Sequence, residues 1–198
     1  MKKIFIASKN KGKINEIKSF LNPFGYEIFS LHDVHGIDDI PETGSTFEEN
    51  ALIKAKAVYD VVKIPVLSDD SGLLVDYLNG QPGVYSARYS GKNPTDEKNT
   101  ALLLKNLSIA AEPERTAHFK CVIVLYDGLN ERYFEGVCNG RISFEPKGNN
   151  GFGYDPVFIP DGYDKTFAEL PSEIKNKISH RGLALRSLIK FIELENSM

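Results

Sequence analysis

Asp69 and Asp70 stand side by side after the apolar run Ile64-Pro65-Val66-Leu67 and ahead of Ser71-Gly72. Adjacent carboxylates repel each other unless a cation or a proton relieves them. The apolar run reads as a strand that ends abruptly at Ser68, and in α/β sheets ligands collect outside the carboxyl ends of strands. Two carboxylates there point to a metal, and Mg²⁺ matches because it takes a few carboxylates together with phosphate oxygens. The competing reading is a turn in which one aspartate caps backbone N–H groups. Glu42, in an acidic loop further upstream, is either a third carboxylate for the same ion or a solvated loop residue.

A second group suits an anion. Ser8, Lys9, Asn10, Lys11, Gly12 and Lys13 form a turn between a strand and a helix. Backbone N–H groups and the positive end of the helix dipole meet at such a turn, which makes it a phosphate site. It lacks the glycines and the Lys-Ser/Thr end of a P-loop, and a basic solvated turn has the same composition. The run Gly151-Phe152-Gly153-Tyr154-Asp155-Pro156 would let backbone approach a flat ligand while a ring stacks on it; a bulged strand start with core aromatics is equally compatible. Lys175 and Ser179-His180-Arg181-Gly182 precede the last helix, where His and Arg either donate to a phosphate or base edge or lie on the surface.

These residues need a frame. Ile4 to Ala7 is a buried-strand run, Ile14, Ile17 and Leu21 share one helical face, and Tyr26 to Phe29 is a second strand, so the chain opens β-α-β. Residues 33–45 are acidic and turn-rich. Ser45 with Glu48 predicts a capping box, followed by a helix with the stripe Phe47, Ala51, Ala55, Val58 and Val62. Residues 79–99 are rich in Gly, Pro and polar side chains, and a helix runs from about Thr95 to Leu107. Strands His118–Tyr126 and Arg132–Phe144 flank Asp127-Gly128-Leu129-Asn130, a hairpin signal. A strand over Pro156–Ile159 and a final helix carrying Leu185, Leu188, Ile189 and Ile192 complete the reading. The expected architecture is one α/β domain over 1–198 with a mixed central sheet, a long hairpin and flanking helices, built as two lobes about a cleft.

Composition narrows the function classes. With a net charge of −3 the chain has no broad cationic surface for a nucleic-acid backbone. No run is long enough to span a bilayer, and Ile4–Ala7 is too short for a signal-peptide core, so no membrane partner and a cytoplasmic location are expected. Cys121 and Cys138 lie in strand-like apolar runs and read as buried, reduced thiols.

Taken in order, six segments resemble the inosine triphosphate pyrophosphatase family, enzymes that clear abnormal purine nucleotides. They are Ser8-x-Asn10-x-x-Lys13, Glu42-Thr43-Gly44-x-Thr46-Phe47-x-Glu49-Asn50-Ala51, Asp69-Asp70-Ser71-Gly72-Leu73, Gly83 to Gly91, Gly151 to Pro156, and Ser179-His180-Arg181-Gly182-x-Ala184-Leu185. They span residues 8 to 185, with Ser8 where many relatives carry Thr. The resemblance implies a homodimeric, elongated α/β fold with a deep substrate cleft. It implies a Mg²⁺-dependent reaction in which ITP, dITP or XTP and water give the monophosphate and pyrophosphate. Asp70 would be the general base or a metal ligand, Glu42 a metal ligand, and Asp69 a further candidate ligand. Ser8 to Lys13 would hold the triphosphate with Ser71 nearby, while Phe152, Gly153, Tyr154, Asp155, Lys175, His180 and Arg181 would surround the nucleotide. The alternatives are a pyrophosphatase for pyrimidine or modified nucleotides and a module that binds nucleotides without hydrolysis.

Overall fold

Short apolar strands begin the chain, as expected. β1 (Lys3–Ile6) pairs in parallel with β2 (Glu27–Ser30), Ile4 opposite Ile28. Between them lies α1 (Lys11–Leu21), which buries Ile14, Ile17 and Leu21. A computed structural model describes residues 2–34, 36–37 and 40–197; within the acidic stretch 33–45, His35, Asp38 and Asp39 lie outside the described residues. β1 also pairs in parallel with β3 (Val66–Val75), Phe5 opposite Val66. β4 (Thr116–Tyr126) and β5 (Glu131–Ile142) are neighbours, and β5 runs antiparallel to β6 (Phe158–Pro160). The six strands form one mixed sheet in the order β2-β1-β3-β4-β5-β6. The remaining helices are α2 (Phe47–Val62), α3 (Asp96–Asn106), α4 (Ser172–Ile178) and α5 (His180–Ser197).

The structure differs from the sequence reading at several boundaries, among them those of the hairpin strands, which run Thr116–Tyr126 and Glu131–Ile142 rather than His118–Tyr126 and Arg132–Phe144. β3 does not stop at Ser68: it continues through Asp69, Asp70, Ser71 and Gly72 to Val75, and nearly all of it is buried. Asp69 and Asp70, poor strand formers, are tolerated because their carboxylates find charged partners there, so tertiary context overrides local preference. The cap of α2 lies one residue later than expected. Thr46, not Ser45, is the N-cap, and Glu49, not Glu48, closes the capping box. The last strand begins at Phe158 rather than Pro156. The helix α4 has no counterpart in the sequence reading, because its seven residues give too little apolar periodicity to register.

The chain divides into two compact units. One comprises Met1–Asp70, Cys121–Gly136 and Arg181–Met198, and the other Ser71–Lys120 and Val137–His180. In the first, Ile4, Ile6 and Leu67 of the sheet pack with Ile14, Ile17 and Leu21 of α1 and with Leu185, Leu188 and Ile192 of α5. In the second, Leu73, Leu103, Leu107, Phe119, Phe158 and Phe167 form the centre. Both cysteines are free and buried, and burial pushes each thiol up to about 12. No helix among the described residues is long and apolar enough to cross a membrane.

Arg115 pins the second unit. Its side chain is 2% exposed, and its guanidinium donates to the carbonyls of Leu107 (2.7 Å), Ile142 (2.8 Å) and Ser143 (2.8 Å). Leu107 caps the carboxyl end of α3, where a cation also meets the negative end of the helix dipole. Replacing Arg115 with Leu strips buried carbonyls of their donor, at about 1–3 kcal/mol for each one left unsatisfied. Arg115→Leu is therefore expected to lose at least about 2 kcal/mol in urea unfolding, with Arg115→Lys intermediate because an ammonium reaches fewer of the three carbonyls. A wild-type midpoint for Arg115→Leu would show that the three bonds are energetically idle.

Candidate active site

Asp69 and Asp70 are consecutive residues of β3, and consecutive side chains of a strand point to opposite faces. Their partners follow that division. Oδ2 of Asp69 accepts from Arg181 Nε (3.2 Å) and Nη2 (3.1 Å) and lies 3.0 Å from Lys13 Nζ. Arg181 turns its other terminal nitrogen, Nη1, to Glu16 Oε2 at 2.6 Å. Lys13 and Glu16 sit one turn apart on α1, at the i,i+3 spacing that puts side chains on one face. Asn10 starts that helix by accepting the Lys13 N–H on its Oδ1, and Ser8 Oγ accepts from the Asn10 N–H. The turn is thus preset by its own side chains, and Lys9 and Lys11 are exposed beside it.

On the other side, Lys54 of α2 links the remaining carboxylates. Its Nζ is 2.7 Å from Glu42 Oε1 and 3.5 Å from Asp70 Oδ1. Glu42 precedes α2 in a loop that is tied to the helix start. Gly44 N–H donates to Asn50 Oδ1, and Glu49 accepts from Ser45 and Thr46. A Cβ on Gly44 would lie 2.6 Å from the Glu49 Cβ and 2.8 Å from Asn50 Oδ1, so the loop closes this tightly with glycine alone. Asp70 Oδ2 is buried without a hydrogen-bond partner among the described residues. Among those residues no three His, Cys, Asp or Glu side chains form a complete metal cage. An unsatisfied carboxylate oxygen with a second carboxylate close by fits Mg²⁺, which keeps waters and phosphate oxygens in most of its positions.

The two aspartates titrate in opposite directions. Burial opposes charge on Asp69, but Lys13, Arg181 and Lys54 outweigh it and hold the carboxyl well below the usual range. For Asp70 burial dominates: Lys54 and Lys13 offset only part of it while Glu42 and Asp69 add repulsion, and the carboxyl is raised. Burial likewise disfavours charge on Lys54, yet Asp70, Glu42 and Asp69 raise its proton affinity. Adjacent residues therefore divide into a permanently ionised anchor and a carboxylate that holds a proton more readily.

The second unit gathers a different set. Asp155 Oδ2 accepts from the Phe152 N–H (2.8 Å) and from Lys175 Nζ (2.7 Å), and Lys175 Nζ lies 4.7 Å from the Phe152 ring centre. Gly151 has φ +78°, and a Cβ there would meet Asp155 Oδ2 at 2.0 Å. The carboxylate folds back over the loop and requires that glycine. Gly153 N–H donates to Asp96. His180 is buried and stacks on Phe119, ring centres 4.6 Å apart and planes within 11°. Tyr154 is a core residue of this unit, its hydroxyl donating to the Ser86 carbonyl.

Within the first unit, then, Ser8 to Lys13 adjoin the Asp69 network, while Glu42 and Asp70 share Lys54. Arg181, expected near the nucleotide, is 2% exposed and commits its guanidinium to Asp69 and Glu16. On Asp69, the further candidate metal ligand, Oδ2 is the oxygen that takes Lys13 and Arg181. Ser71 is half-buried at the start of the second unit's part of β3. Sequence reasoning missed Glu16, Lys54 and Phe119. Glu16 follows Lys13 by three residues and Lys54 follows Asn50 by four, spacings that could have flagged them, but charges on a helix usually mark a solvated face. Phe119 carries no signal beyond strand alternation.

The model of the Ham1 family matches residues 4–191. A dITP/XTP pyrophosphatase of Halalkalibacterium halodurans is 49% identical over 194 residues, covering 98% of this chain and 100% of the relative. One from Bacillus subtilis is 48% identical and covers 98% of each chain. The solved structure of the Staphylococcus aureus Ham1 protein aligns with a TM-score of 0.88 at 44% identity, over 98% of this chain and 100% of its own.

Opposite titration directions give opposite stability effects. A lowered carboxyl stabilises the fold above the ordinary carboxylate range and loses that contribution as pH falls through its folded value; a raised one stabilises below that range and costs stability once ionised. In EDTA at neutral pH, Asp69→Asn is expected to lower stability by about 3 kcal/mol, as for a broken buried ion pair. Asp70→Asn is expected to raise the melting temperature, with the gain shrinking as pH drops into the carboxylate range. Thermal unfolding of both variants across pH checks this, and shifts of the same sign would contradict the division of roles.

Proposed function

This chain belongs to the Ham1 family, and on that premise we propose that it hydrolyses abnormal purine nucleoside triphosphates, ITP, dITP and XTP, to the monophosphate and pyrophosphate. The near full-length likeness to dITP/XTP pyrophosphatases supports the activity. The single observation that carries the chemistry is Asp70: a buried carboxylate with an oxygen lacking a hydrogen-bond partner among the described residues, a raised proton affinity and a lysine-bridged second carboxylate beside it.

In our reading the triphosphate lies against the α1 turn, where the first-turn N–H groups, Lys13 and Lys54 meet its negative oxygens. Glu42 and Asp70 would hold Mg²⁺, which when bound neutralises charge on the triphosphate oxygens. Water attacks the α-phosphorus, the bond from that phosphorus to the α–β bridging oxygen breaks, and pyrophosphate leaves with the electron pair. Asp70 accepts the proton released by the attacking water, a role suited to a carboxyl that burial raises above its ordinary range. The buried Asp69 stays ionised and keeps Lys13 beside the turn.

Phe152, Asp155, Lys175 and His180 are assigned to the base. Lys175 and a ring N–H of His180 donate, and a 6-keto purine offers them an acceptor where adenine presents an amino group. Leaving a buried donor unpaired costs about 1–3 kcal/mol, which favours hypoxanthine and xanthine over adenine. Homodimeric assembly and a cytoplasmic site of action, where the nucleotide pool is open to the enzyme, complete the proposal.

A panel of NTPs and dNTPs assayed with Mg²⁺, following pyrophosphate and orthophosphate separately, tests it. ITP, dITP and XTP are expected to release pyrophosphate and to exceed ATP in kcat/KM, and EDTA is expected to abolish turnover. Release of orthophosphate in place of pyrophosphate would exclude attack at the α-phosphorus. Asp70→Asn is expected to lower kcat by at least about a hundredfold; near-normal turnover would remove Asp70 from the chemistry.

A further inference from the structure

Four charged side chains of the first unit form a chain of contacts whose two ends lie on α1, which closes it into a ring through the helix backbone. Lys13 contacts Asp69, Asp69 contacts Arg181, Arg181 contacts Glu16, and Glu16 returns to Lys13 through one turn of α1. The ring alternates in sign and sums to zero. It is deeply placed: the side chains of Asp69 and Arg181 are 1% and 2% exposed, and those of Glu16 and Lys13 are 16% and 18% exposed. Three N–H donors from two cations converge on a single oxygen, Asp69 Oδ2. One carboxylate balances one of those cations, and Glu16 supplies the other balancing charge.

We propose that Glu16 is a positioning residue for the triphosphate: by neutralising and orienting Arg181, it keeps the Lys13 ammonium on Asp69 at the phosphate turn. The inference rests on the reading of Lys13 as a phosphate ligand. Its physical basis is competition. Arg181 meets Asp69 through two nitrogens of a rigid planar group, a geometry that a point-like ammonium on a flexible stem cannot match. With the Glu16 charge gone, both cations still converge on one Asp69 oxygen while Arg181 Nη1 has lost its carboxylate, and in a medium that screens poorly their repulsion is relieved by movement of one of them. Arg181 is enclosed and doubly bonded; Lys13 is the more exposed and singly held. The lysine therefore leaves its place, and the triphosphate loses a preset contact.

A mainly electrostatic picture predicts the reverse. Removing a carboxylate would make the cluster more positive and draw a polyanion more tightly. A purely structural role predicts lower stability without a specific effect on substrate binding.

The test is a double-mutant cycle on the full-length enzyme with Mg²⁺ and ITP, using wild type, Glu16→Gln, Lys13→Met and the double variant, each checked for folding by thermal unfolding. Glu16→Gln is expected to raise KM about tenfold, which is about 1.4 kcal/mol, and to change kcat by less than about threefold, the pattern of lost binding rather than lost chemistry. In the Lys13→Met background the same change is expected to move KM by less than about twofold, because the residue it positions is gone. An unchanged or lowered KM, a fall in kcat at constant KM, or an equal KM factor in both backgrounds would overturn the proposal. Should Glu16→Gln fail to fold, Glu16→Asp carries the cycle, with a smaller KM rise that must likewise vanish in the Lys13→Met background. Absence of pyrophosphate release by the wild type from every NTP would instead overturn the proposed function itself.

Discussion

Two carboxylates in consecutive positions of a buried strand set an electrostatic condition that much of the first unit meets. A strand turns successive side chains to opposite faces, so Asp69 and Asp70 meet different cations in direct contact. Asp69 receives Lys13 from the first helix and Arg181 from the last, and Asp70 receives Lys54 from the second. The elements that supply these cations are themselves held by apolar contacts: Ile14, Ile17 and Leu21 on α1 pack with Leu185 and Leu188 on α5. Packing sets the helices, and the helices set the charges.

The division of labour between the aspartates follows from how far each is compensated. Asp69 has two cations in contact and stays ionised. Asp70 has one lysine in contact, shared with Glu42 and 3.5 Å away. The less compensated carboxylate is the one left able to bind a cation or a proton. The second unit uses the same device differently, with one Asp155 oxygen binding both its own loop and Lys175.

Much of the frame could be read from residue order. Apolar runs and helical faces gave β1, α1, β2, α2, α3, the β4–β5 hairpin and α5, because burial imposes a period on those segments. The failures have identifiable causes. β3 runs past Ser68 because Arg181, more than a hundred residues downstream, makes the buried aspartate tolerable, and no local pattern encodes that partner. The α2 cap shifted by one because Ser45 and Thr46 are both good caps, and which of them bonds the N3 N–H is decided by backbone geometry. In the site, Ser8 to Lys13 and Asp70 were legible because their chemistry is unusual for their place. Glu16 and Lys54 were not, since a lysine or glutamate on a helix is ordinary until its neighbour is known. Arg181 was legible as a residue, but its partners were not.

Both thiols bear on durability. Cys121 and Cys138 are buried, free and held protonated, while the residues assigned to phosphate, metal and base work through oxygen, nitrogen and aromatic carbon. Oxidants attack thiolate rather than thiol, so neither cysteine offers them a ready target. Hydrolysis of abnormal nucleoside triphosphates by these residues therefore draws on no thiolate that an oxidant could take away.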